Sequence, residues 1–139
     1  MRRILFDTNG YVAFKRGDAG AVHVVRLAER IGMSSVVLGE LLAGFAGGTH
    51  EGRNRKELAE FLASPRVETL HVGPETAKYY AAVFQSLRRR GKPIPTNDLW
   101  IAATALGLDA VVVTSDSDFQ RVRGLRIEDW TASPGTSGE

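Results

Sequence analysis

Hydrophobic positions along the chain follow two rhythms. Ile4 to Phe6 and Ala110 to Val113 are short unbroken apolar runs, and each stops at polar residues, "DTN" after the first and "TSDSD" after the second. Runs that do not alternate belong to strands covered on both faces, as in a parallel sheet. Elsewhere the period lengthens to that of a helix. Ala77, Tyr80, Ala81, Phe84 and Leu87 recur at spacings of three and four, which predicts one buried stripe on a helix from Pro74 to about Arg90. Further helices are expected over residues 10–15, 19–30, from about 36 to the Gly47 and Gly48 stop, 53–63 and 95–108. Further strands are expected over 33–35, 67–72 and 125–127.

Short buried strands separated by helices, with no internal repeat, imply an α/β fold: a three-layer α/β/α sandwich around a central, mainly parallel sheet. At 139 residues the chain suits one domain, expected over residues 1–130. The remaining "TASPGTSGE", residues 131–139, lacks the apolar content to fold and is expected to be a flexible tail.

In open parallel sheets, ligands bind beyond the carboxyl ends of the strands. This chain places acids there. Asp7 follows the first apolar run, Asp116 and Asp118 follow the Val111 to Val113 run, Glu40 lies in the early turns of its helix, and Asp98 begins the helix "PTNDLWIAATALGL". A structural role is open to each of them. Asp7 can cap the next helix, Asp98 can complement a helix N-terminus, Glu40 can be solvated, and "SDSD" can be a turn. The apolar neighbours of Asp98 and Glu40 argue for more, because buried charges are normally paired or coordinated. Two carboxylates about 5 Å apart at an effective dielectric of about 20 repel by about 3 kcal/mol. Matching cations are few in the sequence, so a divalent metal ion is the economical partner.

Composition narrows the choice of ion. Cysteine is absent, which removes thiolate metal sites, cysteine nucleophiles and disulfides, and fits a reducing cytoplasm. His23, His50 and His71 lie far apart in different elements, so no two share an ion. A carboxylate-only cluster matches Mg2+, with Mn2+ as the alternative. Such an ion acidifies water and offsets charge on phosphoryl oxygens, which suits phosphodiester hydrolysis. The apolar run behind Arg2 and Arg3 is too short for a signal peptide or a membrane span. Net charge is only +2, yet positive residues gather at Arg53, Arg55 and Lys56, and at Arg88, Arg89, Arg90 and Lys92, as either solvated faces or a rim for a polyanion. Tyr11, Phe14 and Trp100 are available for base stacking or for core packing.

The segments "LFDTNGYVAF", "SSVVLGELLAGF", "TNDLWIAATA" and "VVVTSDSDF", in this order, resemble the motifs of PIN-domain ribonucleases, in particular the VapC toxins of VapBC toxin–antitoxin pairs. The resemblance runs from about Leu5 to Leu125. It implies a PIN-like fold, metal-dependent endoribonuclease activity on RNA, a homodimer and a cognate VapB-type antitoxin. By the same resemblance Asp7, Glu40, Asp98 and Asp116 are the metal-binding, catalytic acids, with Asp118 a fifth candidate ligand. Thr8, Asn9, Thr114 and Ser115 fall in the same motifs and would orient a metal water or a phosphate. A haloacid-dehalogenase phosphatase would need a second aspartate where Asn9 stands. The other alternative is a catalytically inactive PIN-like module that binds RNA or protein.

Overall fold

The structure is a computed structural model that describes residues 2–131. All of the expected tail except residue 131 lies outside the described residues. The order of elements is β1 (Arg3–Phe6), α1 (Thr8–Lys15), α2 (Ala19–Leu27), β2 (Arg30–Ser34), α3 (Ser35–Ala46), α4 (Glu51–Leu62), β3 (Val67–Leu70), α5 (Pro74–Arg89), α6 (Thr96–Leu108), β4 (Val111–Val113) and β5 (Ile127–Glu128). A 3-10 turn at Ser117–Arg121 follows β4.

Five strands form one sheet in the order β3-β2-β1-β4-β5, and every neighbouring pair is parallel. The six α-helices flank it, giving the expected α/β/α sandwich. Ile4, Leu5 and Phe6 of the central strand are wholly buried, as are Val112 and Val113 beside them, which is why these runs do not alternate. The chain travels from β1 to β2 and β3 on one side and returns to β4 and β5 on the other. The exits of β1 and β4 therefore diverge at the sheet's centre, where such folds open a crevice.

Helix α6 crosses the core with little polar face. Leu99, Ile101, Ala102, Ala103, Thr104 and Ala105 are all buried, and three alanines in that set let the helix lie close to its neighbours. Its C-terminus ends on Asp109 in the left-handed region at φ 53, a role more often given to glycine.

Three expectations need correction. Helix α2 stops at Leu27, and β2 begins at Arg30, where a helix end was expected. Gly32 in β2 has no room for a side chain, because a Cβ there would lie 2.6 Å from Leu70 Cδ1 and 3.0 Å from Leu5 Cδ1. It serves close strand packing. The buried positions of α5 are Val83 and Leu87, with Tyr80 half-buried, while Ala77 and Ala81 are exposed and Phe84 is 38% exposed. The helix is rotated from the predicted stripe because α6 fills the space on its inner side, with Trp100 stacked on Tyr80 at 4.0 Å between centroids. The last strand, Ile127–Glu128, also starts later than the expected 125–127 segment.

Candidate active site

The site is built at the carboxyl edge of the sheet from segments far apart in sequence. Asp7 directly follows β1 and is buried. One of its oxygens, Oδ1, accepts the Gly10 N–H at 2.8 Å, so Asp7 is the N-cap of α1. Its other oxygen accepts the Thr114 hydroxyl at 2.5 Å. Cap and site residue are thus one side chain. Gly10 makes this possible: a Cβ there would lie 2.7 Å from the Phe6 ring and 2.8 Å from the Val113 carbonyl oxygen, so only glycine lets α1 begin so near the sheet.

Thr114, itself buried, ties two acids together. Its hydroxyl donates to Asp7 and accepts the Asp116 N–H at 2.9 Å. Asp116 in turn accepts the Asp118 N–H at 2.8 Å, which turns the chain into the 3-10 segment. Glu40 reaches in from α3. Thr8 donates its hydroxyl to Oε1 of Glu40, and Asn97 donates its amide to Oε2 at 2.8 Å.

Asp7, Thr8, Asn9, Glu40, Asp98, Ile101 and Asp116 line one cavity of about 250 Å³. The structure thus brings together the four acids that head the expected set. The tightest grouping among the described residues is Asp98, Asp116 and Asp118, which offer one oxygen each with all three atoms within 4.8 Å of one another. Asp118, the fifth candidate, belongs to this grouping, although it does not line the cavity. Thr8 and Thr114 hold carboxylates, while Asn9 and Ser115 are exposed. Tyr11 is buried against Phe61, Phe14 stacks on Phe6, and Trp100 stacks on Tyr80, so all three aromatics pack within the fold.

Crowding leaves its mark on proton affinity. Asp98 is pushed up to about 6, first by burial and then by the charges of Asp116, Asp7, Glu40 and Asp118. Burial also raises Asp7, against the pull of its bonds from Thr114 and Gly10, and Asp116 and Glu40 add to the rise. A set of oxygen anions that repel one another in a half-buried cavity, with no nitrogen or sulfur donor, fits a hard divalent cation. Asp98, Asp116 and Asp118 could hold it, with Asp7 and Glu40 alongside.

Two residues near the acids escaped sequence reasoning. Asn97 is one. Arg121 is the other: its Nη2 lies 3.3 Å from Asp118 Oδ1, and its Nη1 donates to the Pro93 carbonyl at 2.9 Å. Arg90 donates to the Arg121 carbonyl and so links the positive end of α5 to the acidic edge. The i,i+3 spacing of Asp118 and Arg121 was the available signal, but it has meaning only once the segment is known to be helical.

The PIN domain family model matches residues 4–125. This chain belongs to the PIN domain family. Within that family it is 34% identical to ribonuclease VapC1 of Haemophilus influenzae over 104 residues, covering 74% of this chain and 76% of the relative. The tRNA(fMet)-specific endonuclease VapC of Shigella flexneri is 32% identical over 134 residues, covering 94% of this chain and 100% of the relative. The crystal structure of DNA-bound VapBC from Salmonella typhimurium superposes with a TM-score of 0.82 at 30% identity, covering 94% of this chain and 99% of that one. The span matched by the family model includes all five acids at the sheet edge.

Proposed function

We propose that this PIN domain is a Mg2+- or Mn2+-dependent endoribonuclease that hydrolyses RNA phosphodiester bonds, and the toxin of a toxin–antitoxin pair. The observation that carries the reading is the meeting of Asp7, Glu40, Asp98 and Asp116 in one cavity at the sheet edge, in a chain whose relatives are VapC ribonucleases. When bound, a divalent cation supplies Lewis acidity, acidifying water and offsetting charge on the phosphoryl oxygens. The chain's own residues prepare the place. Thr114 keeps Asp7 and Asp116 in fixed relation, Thr8 and Asn97 hold Glu40, and burial against Ile101 keeps the acids partly dry so that charge interactions stay strong. Arg121, together with the exposed Arg88, Arg89 and Lys92, offers positive charge to an approaching polyanion.

The decisive experiment is cleavage of RNA by purified protein with and without added Mg2+ or Mn2+. Cleavage is expected only with the ion, and Asp7→Asn or Asp98→Asn is expected to abolish it with the fold intact by circular dichroism. Full activity in either variant, or in excess chelator, would refute the assignment. The inactive binding-module alternative predicts RNA retention without turnover.

Partners follow from the same reading. The superposition on a VapBC complex supports a VapB-type antitoxin as partner, and expression of the chain alone is expected to arrest growth that the antitoxin restores. A homodimer is proposed as well, supported by the apolar face that α5 leaves in solvent, where Tyr79 is 39% and Phe84 38% exposed. Among the described residues no helix is long and apolar enough to cross a membrane. A cytoplasmic location belongs to the same proposal, because the proposed substrate is RNA.

A further inference from the structure

We propose that Asn97 is a positioning residue, which together with Thr8 orients the carboxylate of Glu40 for the reaction. This rests on the nuclease reading above and adds to it a part that the acids alone do not supply.

Glu40 differs from the other acids in how it is carried. Asp7, Asp116 and Asp118 are fixed by the backbone of strand exits and their caps, whereas Glu40 stands in the body of α3 on a longer side chain. A glutamate's terminal torsion is broad, so its two oxygens have no preferred direction without partners. Here each oxygen has one. Thr8, the first residue of α1, donates to Oε1, and Asn97, in the first turn of α6, donates to Oε2 at 2.8 Å across 57 positions of sequence. Two donors from two helices fix both the torsion and the reach of the side chain.

Asn97 has a competing role as a helix-capping residue, and its chemistry argues against that role. A cap must accept from free backbone N–H groups, while Asn97 spends its amide as a donor on another helix. The N-cap position is held by Pro95, which makes no side-chain cap bond. A carboxylate only accepts, so the Asn97 amide must present its nitrogen to Glu40. The choice of a neutral donor also fits the setting. A lysine or arginine here would compete with a bound cation, and an acid would add to the repulsion among the site's carboxylates.

The test uses the full chain. Asn97→Ala and Asn97→Ser are each expected to lower kcat for RNA cleavage about 10- to 100-fold at saturating Mg2+, with KM held within about two-fold. Asn97→Ser is the sharper variant, because serine serves a helix N-terminus about as well as asparagine, adds no charge to the site and is too short to reach Glu40. If Asn97 only supported α6, that variant would keep wild-type kcat, and the proposal would be overturned. The second readout needs no activity. The side-chain amide signals of Asn97 in a 15N–1H spectrum, identified by their loss in Asn97→Ala, are expected to move in Glu40→Ala; signals that stay put would equally overturn it. Wild-type protein that cuts no RNA would instead sink the nuclease reading, while the amide signals would still decide whether Asn97 holds Glu40.

Discussion

Thr114 shows how much one hydroxyl can do at this edge. It donates to a buried carboxylate and accepts from the backbone of a second acid, so Thr114→Val, nearly the same shape, removes both bonds at once. Loss of a donor to a buried charged group costs about 1–3 kcal/mol, and the thermal midpoint should fall accordingly at pH 7. The loss should be smaller at pH 4, because the Thr114 bond favours the ionised form of Asp7 and counts for less as acid is added. Differential scanning calorimetry at the two pH values checks both parts.

At Asp98 burial and repulsion act unopposed. Its ordinary value is 3.8 and the fold raises it to about 6, so the ionised form is disfavoured in the folded protein. That penalty is fully present above pH 6 and disappears as pH falls through about 6 towards 4. Metal-free Asp98→Asn is therefore expected to melt above wild type at pH 7, with the gap closing as the solution is acidified. The same variant should be unable to cut RNA, the usual conflict between stability and a crowded site.

At the scale of elements, α1 and α6 bring their first turns to the acids, and both are fitted tightly. Gly10→Ala would drive a methyl group into the Phe6 ring and the Val113 carbonyl. An overpacked contact of this kind costs about 1–3 kcal/mol, and it should also shift Asp7, so cleavage falls together with the melting temperature. Most elements were legible in the sequence, because Ile4 to Phe6 and Ala110 to Val113 are apolar without alternation and because Pro74 marks where α5 starts. The rotation of α5 was not. Tyr79 to Phe84 is apolar throughout, so spacing alone cannot say which face α6 will cover. Likewise β2 was obscured by Gly32, which reads as a break in sequence and is in fact required by the side chains of Leu5 and Leu70. The acids at strand exits were readable from position, whereas Asn97 was not, since its partner lies across the fold on a different helix.

For the whole molecule, the proposed ion dependence would make stability and function meet at one site. A cation that binds only the folded state raises the melting temperature by mass action. Added Mg2+ or Mn2+ is expected to do so in wild type at pH 7, and to do less in Asp98→Asn, as thermal scans across an ion titration will show. Acid should weaken the effect, because a proton on Asp98 competes with the ion near pH 6.

The bond between Thr114 and Asp7 spans 107 positions, and β4 takes its place beside β1 only after most of the chain exists. A ribosome building this protein therefore holds an unarmed product through nearly the whole of synthesis. Nascent fragments that stop short of β4 carry Asp7, Glu40 and Asp98 but lack Thr114 and Asp116, and such fragments should leave the surrounding transcripts whole.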